Sequence, residues 1–429
     1  MKLTPEVIVI GGGPSGSTVA TLLAKQGHRV LILERAKFPR HHIGESLIPY
    51  TYFTLKKLGM IEKLKASDFV KKESVQFVSA SGKDSAPFFF PDLDPSEWSS
   101  TWQVTRSKFD QMLLDNAREN GVEVIEQANV KEVLFETGKP GRPDSDSPRA
   151  IGVRTVIGGE TRDIHARVTV DATGQSAMLS RRFKLRYGDE KLKNAVIYGY
   201  WTGAQRDEGR NAGATLVIAL PATQGWFWFI PLEDGITSVG VVAPPDYLYN
   251  GRSDDPEAIL NEEIANTPGL ARRLTRATRV DKIYTTADFS YRSRRAAGNG
   301  WALVGDAFGF LDPLYSSGVM LALKSGELAA EAIHEALVAG DVSEASLSKF
   351  GPKVAQGMQR IRMLVYAYYD PTFRMGGFVR QYPHLKNDIT RVLVGDVFED
   401  DLAELFDTMA RHIKLPQEIQ LDVAPVSNR

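Results

Sequence analysis

The run Glu-Val-Ile-Val-Ile at positions 6–10 leads directly into Gly11-Gly12-Gly13-Pro14-Ser15-Gly16, and no other stretch restricts the fold as much. A fully apolar strand, a Gly-x-Gly-x-x-Gly turn, a helical run to about Gly27, a second apolar strand at 29–33 and then Glu34 make one strand-helix-strand unit. Gly11 permits the tight turn, Gly13 lets the backbone approach a pyrophosphate, and Gly16 allows close packing of the helix. Pro14 and Ser15 open that helix, whose unpaired amides and positive dipole end attract phosphate. Glu34 is placed to accept the ribose hydroxyls of an adenosine, with Arg35 beside it. The unit predicts an α/β chain with a Rossmann-like dinucleotide-binding domain.

A chain of 429 residues exceeds a single core, so a second domain and a terminal extension are expected. Its 52 basic and 53 acidic residues nearly cancel, which argues against nucleic acid or an anionic membrane surface as partner. Cysteine is absent, so disulfides, thiolate metal sites and a cysteinyl cofactor link are excluded. The N-terminus reads as a strand and not as a signal peptide, and no run of about 18 apolar residues could span a bilayer. A cytoplasmic protein is the expectation. His41 and His42 read as a solvated pair with no third metal ligand at useful spacing.

Gly225-Trp226-Phe227-Trp228-Phe229-Ile230-Pro231 packs four aromatic rings into seven residues. Read as a strand, period two sends Trp226, Trp228 and Ile230 to one face and Phe227 and Phe229 to the other, both buried. The polar hairpin tip at 138–148, the strand and turn Val168 to Ser176, and the apolar strand Trp301 to Val304 ending in Gly305-Asp306 are further landmarks. Small residues at 316–318 lead into a long helix, an arrangement that holds anions. Lys71 and Lys72 point to opposite faces of any strand, and parity alone does not choose between them.

These motifs together resemble the flavin monooxygenases of the para-hydroxybenzoate hydroxylase fold and, within them, the flavin-dependent halogenases. The resemblance runs from about residue 5 to 345. It rests on the glycine loop, the lysine segment 68–77, Asp171-Ala172-Thr173-Gly174, Gly305-Asp306 and Trp-x-Trp-x-Ile-Pro at 226–231. It implies a discontinuous FAD-binding domain at 1–75, 105–190 and 280–345, an inserted antiparallel-sheet substrate domain at 76–104 and 191–279, and a helical C-terminal region at 346–429. Counted from Phe69 and Phe77, the family's catalytic lysine, which begins a strand, matches Lys72. Gly11, Gly13, Pro14, Ser15, Gly16, Glu34, Arg35, Arg106, Asp306, Gly318 and Val319 would bind FAD, used as FADH2. Ser316, Ser317 and Gly318 would hold chloride or bromide, and Trp226, Trp228 and Pro231 would wall the passage from flavin to substrate. The resemblance leaves open whether FAD is covalently bound; Asp288 is the acid that some relatives' pattern would offer for such a link.

The implied activity is electrophilic halogenation through hypohalous acid. Tryptophan halogenases carry a glutamate where this chain has Tyr315, which turns the expected substrate toward a phenol or pyrrole, free or tethered to a carrier protein. No second glycine motif reads as an NADPH site, so a separate flavin reductase is the implied transient partner. The competing readings are a flavin hydroxylase or geranylgeranyl-type reductase, and a flavoprotein without catalysis.

Overall fold

The computed structural model describes residues 4–136, 148–221, 225–399 and 401–422, with the side chains of 287–289 left out. The hairpin tip at 138–147 and the Asp288 side chain therefore lie outside the described residues.

Val7–Ile10 is buried along its whole length because it runs parallel between Val30–Leu33 and Val168–Asp171, with Val7 level with both Val30 and Val168. Burial on both faces explains the unbroken apolar run. The six-stranded sheet continues outward through Glu123–Ile125 on one side and through Trp301–Leu303 and Ala297–Gly298 on the other. Helix Pro14–Lys25 packs against the 22-residue helix Gly318–Ala339. The contact is close at Gly326, where a methyl group would meet the Ser15 carbonyl at 2.8 Å. The glycine loop and the start of the long helix thereby come to the same end of the sheet.

The second sheet has nine strands, and Arg186–Thr202, Thr215–Ala219, Trp226–Pro231, Ile236–Ala243 and Tyr284–Ser293 form its antiparallel body. It departs from a purely antiparallel sheet at one pair: Ser74–Val78 arrives from the cofactor half and runs parallel to Thr215–Ala219. Trp226–Pro231 is buried on both faces. Trp226, Trp228 and Ile230 join the large core shared with the nucleotide-binding half. Phe227 and Phe229 pack with Ile218, Val239 and Val241 in a separate core under the helices Pro256–Asn266 and Pro268–Leu274. A buried indole of roughly 200 Å² is worth up to about 5 kcal/mol of apolar burial, so this strand seals the two halves.

The C-terminal region is helical, with Gly351–Tyr369, Met375–Gln381, Lys386–Val394 and Ala403–Met409. Val354, Met358, Ile361 and Val365 make the apolar stripe of the first. Its last residue, Tyr369, accepts a hydrogen bond from Trp226 Nε1 at 2.8 Å. Among the described residues no helix is long and apolar enough to cross a membrane.

Candidate functional site

Three glycines shape a cradle that a larger residue would fill. Gly11 has φ +106°, and a methyl there would sit 2.5 Å from the Ala172 carbonyl oxygen. A methyl on Gly16 would fall on the Gly11 carbonyl, whereas the only neighbour of one on Gly13 is Arg40 Nη2 at 3.3 Å. Gly13 is also the N-cap of helix Pro14–Lys25 and supplies no side-chain cap, so the first amides stay available to phosphate. Ser15 is buried there against the Gly305 turn, which places Asp306 at the same loop. These residues fit a dinucleotide pyrophosphate.

Glu34 does more than the sequence indicates. Its two oxygens accept the Gly12 amide at 2.7 Å and the Ala36 amide at 2.8 Å, so it first braces the loop and keeps one lone pair on each oxygen for ribose. Arg35 is exposed at the end of that strand.

Arg106 is buried and its fork is committed. Nε and Nη2 donate to the two Asp110 oxygens at 2.8 and 3.1 Å, and Nη1 donates to the carbonyls of Ile43 at 2.5 Å and Gly44 at 3.3 Å. Arg106 thus sets the turn before Glu45, with its charge met by Asp110. Arg40, which sequence reasoning passed over, shares Asp110 at 3.3 Å and faces Gly13. Two guanidiniums on one carboxylate leave one positive charge beside the phosphate cradle. The Asp306 carboxyl makes no hydrogen bond among the described residues, and burial pushes it up to about 6 while Arg106 pulls it down. That leaves it open to hydroxyl donors.

The anion loop is built around Asp312, whose carboxylate accepts the Leu314 amide at 3.0 Å, Asn194 Nδ2 at 2.8 Å and the Tyr369 hydroxyl at 3.0 Å. Ser316 takes φ +55°, and Ser317, 1% exposed, has a hydroxyl with no partner among the described residues. A methyl on Gly318 would meet nothing within 4 Å, so the helix N-terminus faces space. Val319 lies 4.0 Å from the Cβ position of Gly44, joining this loop to the turn held by Arg106. Tyr315 is buried with its hydroxyl 3.4 Å from the Leu364 carbonyl.

Lys72 is 2% exposed, and Lys71 is exposed and lies over the Trp102 ring at 4.3 Å. Lys72 ends the short strand Val70–Lys72, paired with Thr101–Gln103, instead of beginning one; the main-sheet strand starts at Ser74. Its Nζ donates to Ser46 Oγ and the Leu47 carbonyl, both at 2.8 Å, and it has no carboxylate partner among the described residues. Burial pulls the amine from 10.5 to about 7. Ser46 Oγ also bonds Thr215 Oγ1 at 2.8 Å, tying the lysine to the strand next to Ser74–Val78.

Between Arg106 and the indoles lies Glu45, the second residue that sequence reasoning left out of the site. It is 2% exposed and lines a cleft of about 340 Å³ with His42, Thr105, Arg106 and Tyr200. Oε1 accepts the Tyr200 hydroxyl at 2.9 Å, and Oε2 has no hydrogen-bond partner among the described residues. Burial raises the carboxyl to about 7, against the pull of Ser238, Tyr200 and Arg106. Ser238 accepts Trp228 Nε1 at 3.0 Å, so Glu45 and Trp228 share a hydroxyl neighbour. The available signal was Gly44-Glu45-Ser46, a turn, a carboxylate and a hydroxyl just ahead of a helix. His41 and His42 are both exposed, and His41 stacks on Tyr284 at 4.2 Å and bonds the Tyr198 hydroxyl at 3.1 Å.

A second cavity, about 550 Å³, opens beside the indoles. Two of its lining residues, Val217 and Ala219, are the cross-strand partners of Trp228 and Trp226. Phe77, Tyr368, Lys83 and Arg374 also line it, so the C-terminal region both seals the seam and covers this cavity.

This constellation is matched by the tryptophan halogenase family model over residues 6–94 and 91–386. The chain belongs to that family. It is an FAD-dependent oxidoreductase of the flavin-dependent halogenase type, and the halogenase uses FADH2 and halide. It is 31% identical to the 1H-pyrrole-2-carbonyl-[peptidyl-carrier protein] chlorinase of Pseudomonas fluorescens, over 94% of this chain and 92% of that protein. It is 33% identical to the tryptophan 2-halogenase of Chondromyces crocatus, over 94% and 75%. The solved structure of the flavin-dependent brominase Bmp2 superposes with a TM-score of 0.84 at 31% identity, covering 95% of this chain and 98% of that one.

Proposed function

We propose that the halogenase chlorinates or brominates an electron-rich ring, a pyrrole or a phenol, presented as a thioester on a carrier protein, and that Lys72 directs the halogen. The observation that carries this is a buried amine with no carboxylate partner, held by Ser46 and Leu47 and titrating near neutrality. The chemistry that reduced flavin supplies when bound is the two-electron oxidation of halide by dioxygen to hypohalous acid. The chain's own residues do the rest. The loop Gly11 to Gly16, Arg40, Glu34 and Asp306 hold the dinucleotide, and Arg106 fixes the turn beside it. Ser317 and the amides at Gly318 and Val319 hold the halide at the helix N-terminus, and Ser316 turns the chain to expose them.

At Lys72 the ammonium form donates a hydrogen bond to hypohalous acid, polarising the halogen toward the ring, and the amine form takes the halogen as a haloamine with loss of water. In both cases the net change is hypohalous acid plus aryl C–H to aryl halide plus one water. On the ammonium route the ring proton joins the departing hydroxide as that water; on the haloamine route the water has already left with an amine proton and the ring proton restores the lysine N–H. Trp226 and Trp228 keep the organic substrate away from the flavin cleft. The pyrrolyl-carrier chlorinase among the relatives, and Tyr315 where tryptophan-type enzymes have a glutamate, support the tethered pyrrole over free tryptophan.

The same reading assigns residues 1–75, 105–190 and 280–345 to cofactor binding, 76–104 and 191–279 to substrate, and places the enzyme in the cytoplasm beside a separate flavin reductase. Mass spectrometry of a pyrrolyl-carrier thioester and a phenol panel, with reduced flavin, oxygen and bromide, tests it. Halide-independent oxygenation or double-bond reduction would overturn it.

A further inference from the structure

The cavity beside the two indoles has a rim unlike its walls. Phe77, Val217, Ala219 and Tyr368 make the interior apolar, while Lys83 and Arg374 stand at the edge from opposite elements. Lys83 belongs to the turn after Ser74–Val78, and Arg374 is the N-cap of helix Met375–Gln381. The acid on this rim, Asp84, is already matched: Arg272 Nη2 donates to both its oxygens at 2.6 Å. Among the described residues Arg374 donates to the carbonyls of Pro371 and Phe373 alone, at 2.8 and 2.9 Å, which carry no charge. The Lys83 ammonium has no carboxylate partner among the described residues. Two uncompensated positive charges therefore border an apolar space.

The complement of such a site is an apolar body with a phosphate at its outer end. A halide has no apolar body, and a free pyrrole or phenol has no phosphate. The geometry points to this cavity as the entry of an acyl-phosphopantetheine arm, with Lys83 and Arg374 holding the arm's phosphodiester. This rests on the reading that the substrate is carrier-tethered. The direction of Thr215–Ala219 agrees with it. Thr215 bonds the Ser46 hydroxyl that also takes Lys72 Nζ, and Val217 and Ala219 line the cavity farther along the same strand. At about 3.3 Å per residue, Ala219 is roughly 13 Å from Thr215, so an arm entering at the rim and following this strand brings its acyl end toward Lys72.

The test uses the FAD-loaded enzyme and two probes, pyrrole-2-carbonyl-S-pantetheine with and without the 4′-phosphate, titrated calorimetrically. The phosphorylated probe is expected to bind about tenfold tighter, an advantage that shrinks in higher salt. In the double variant Lys83→Gln/Arg374→Gln that advantage should vanish while the unphosphorylated probe binds as before; both residues are exposed, and retained FAD content reports the fold. A phosphate that makes no difference to the wild type, or an advantage that survives the double variant, would overturn the arm site. Bromination of both probes without a phosphate preference would overturn the arm site and leave the tethered reading standing. Bromination of free phenols with neither probe accepted would overturn both.

Discussion

Replacing Lys72 with methionine should make the protein more stable near neutral pH while abolishing halogenation. The amine titrates near 7 in the folded chain and near 10.5 when unfolded, a shift of about 3.5 units or roughly 5 kcal/mol of opposition to the buried charge. Methionine fills a similar volume without that cost. It forfeits the hydrogen bonds to Ser46 and Leu47, together about 2 kcal/mol. At pH 6 the variant should therefore gain roughly 3 kcal/mol. Between pH 7 and 10.5 the unfolded chain binds more protons than the folded one, so wild-type stability rises with pH and the advantage shrinks. The two stability curves should cross near about pH 9, above which the lost hydrogen bonds dominate. Urea midpoints of both proteins from pH 6 to 9.5, at equal FAD loading, measure this. A variant less stable at pH 6, or a difference that does not change with pH, would refute the buried, carboxylate-free amine.

Glu45→Gln should act in the opposite sense. With the carboxyl raised to about 7, the folded chain binds more protons between pH 4.5 and 7, so wild-type stability falls through that window by roughly 3 kcal/mol relative to the variant; parallel urea curves would refute it. Trp226→Phe loses the bond to Tyr369 and should cost about 1 kcal/mol in the urea midpoint, with no change counting against it. Replacing both indoles by leucine should raise hydrogen peroxide release or direct oxygenation, and unchanged coupling would return the motif to plain core. Ser317→Ala removes a hydroxyl that has no partner, so stability should hold within about 0.5 kcal/mol while the apparent halide KM rises about tenfold; an unchanged halide KM would dismiss that residue from the anion site.

The glycine loop and the two-faced tryptophan strand were legible in the sequence because each is a local pattern, one of turn geometry and one of period two. Gly16 is required by contact with Gly11, five residues away, and Trp226 and Phe227 diverge because neighbours on a strand must. Lys71 and Lys72 were not separable, because the strand carrying them is three residues long and its inner face is decided by pairing with Thr101–Gln103. Glu45 was visible only as the carboxylate of a Gly-Glu-Ser turn, because the burial that raises its pKa, against the pull of Ser238, Tyr200 and Arg106, exists only once segments distant in the chain are brought together. Arg106 and Arg40 share Asp110, so only the folded arrangement shows which guanidinium is committed to the turn and which faces Gly13.

The most direct test is the mass spectrum of a pyrrole-2-carbonyl carrier thioester after incubation with reduced flavin, oxygen and bromide, run for the wild type and for Lys72→Ala at equal FAD occupancy. The account predicts a brominated acyl group, recognised by its isotope doublet, from the wild type alone. Bromination that persists without the lysine amine, or an oxygenated product formed without halide, would contradict it.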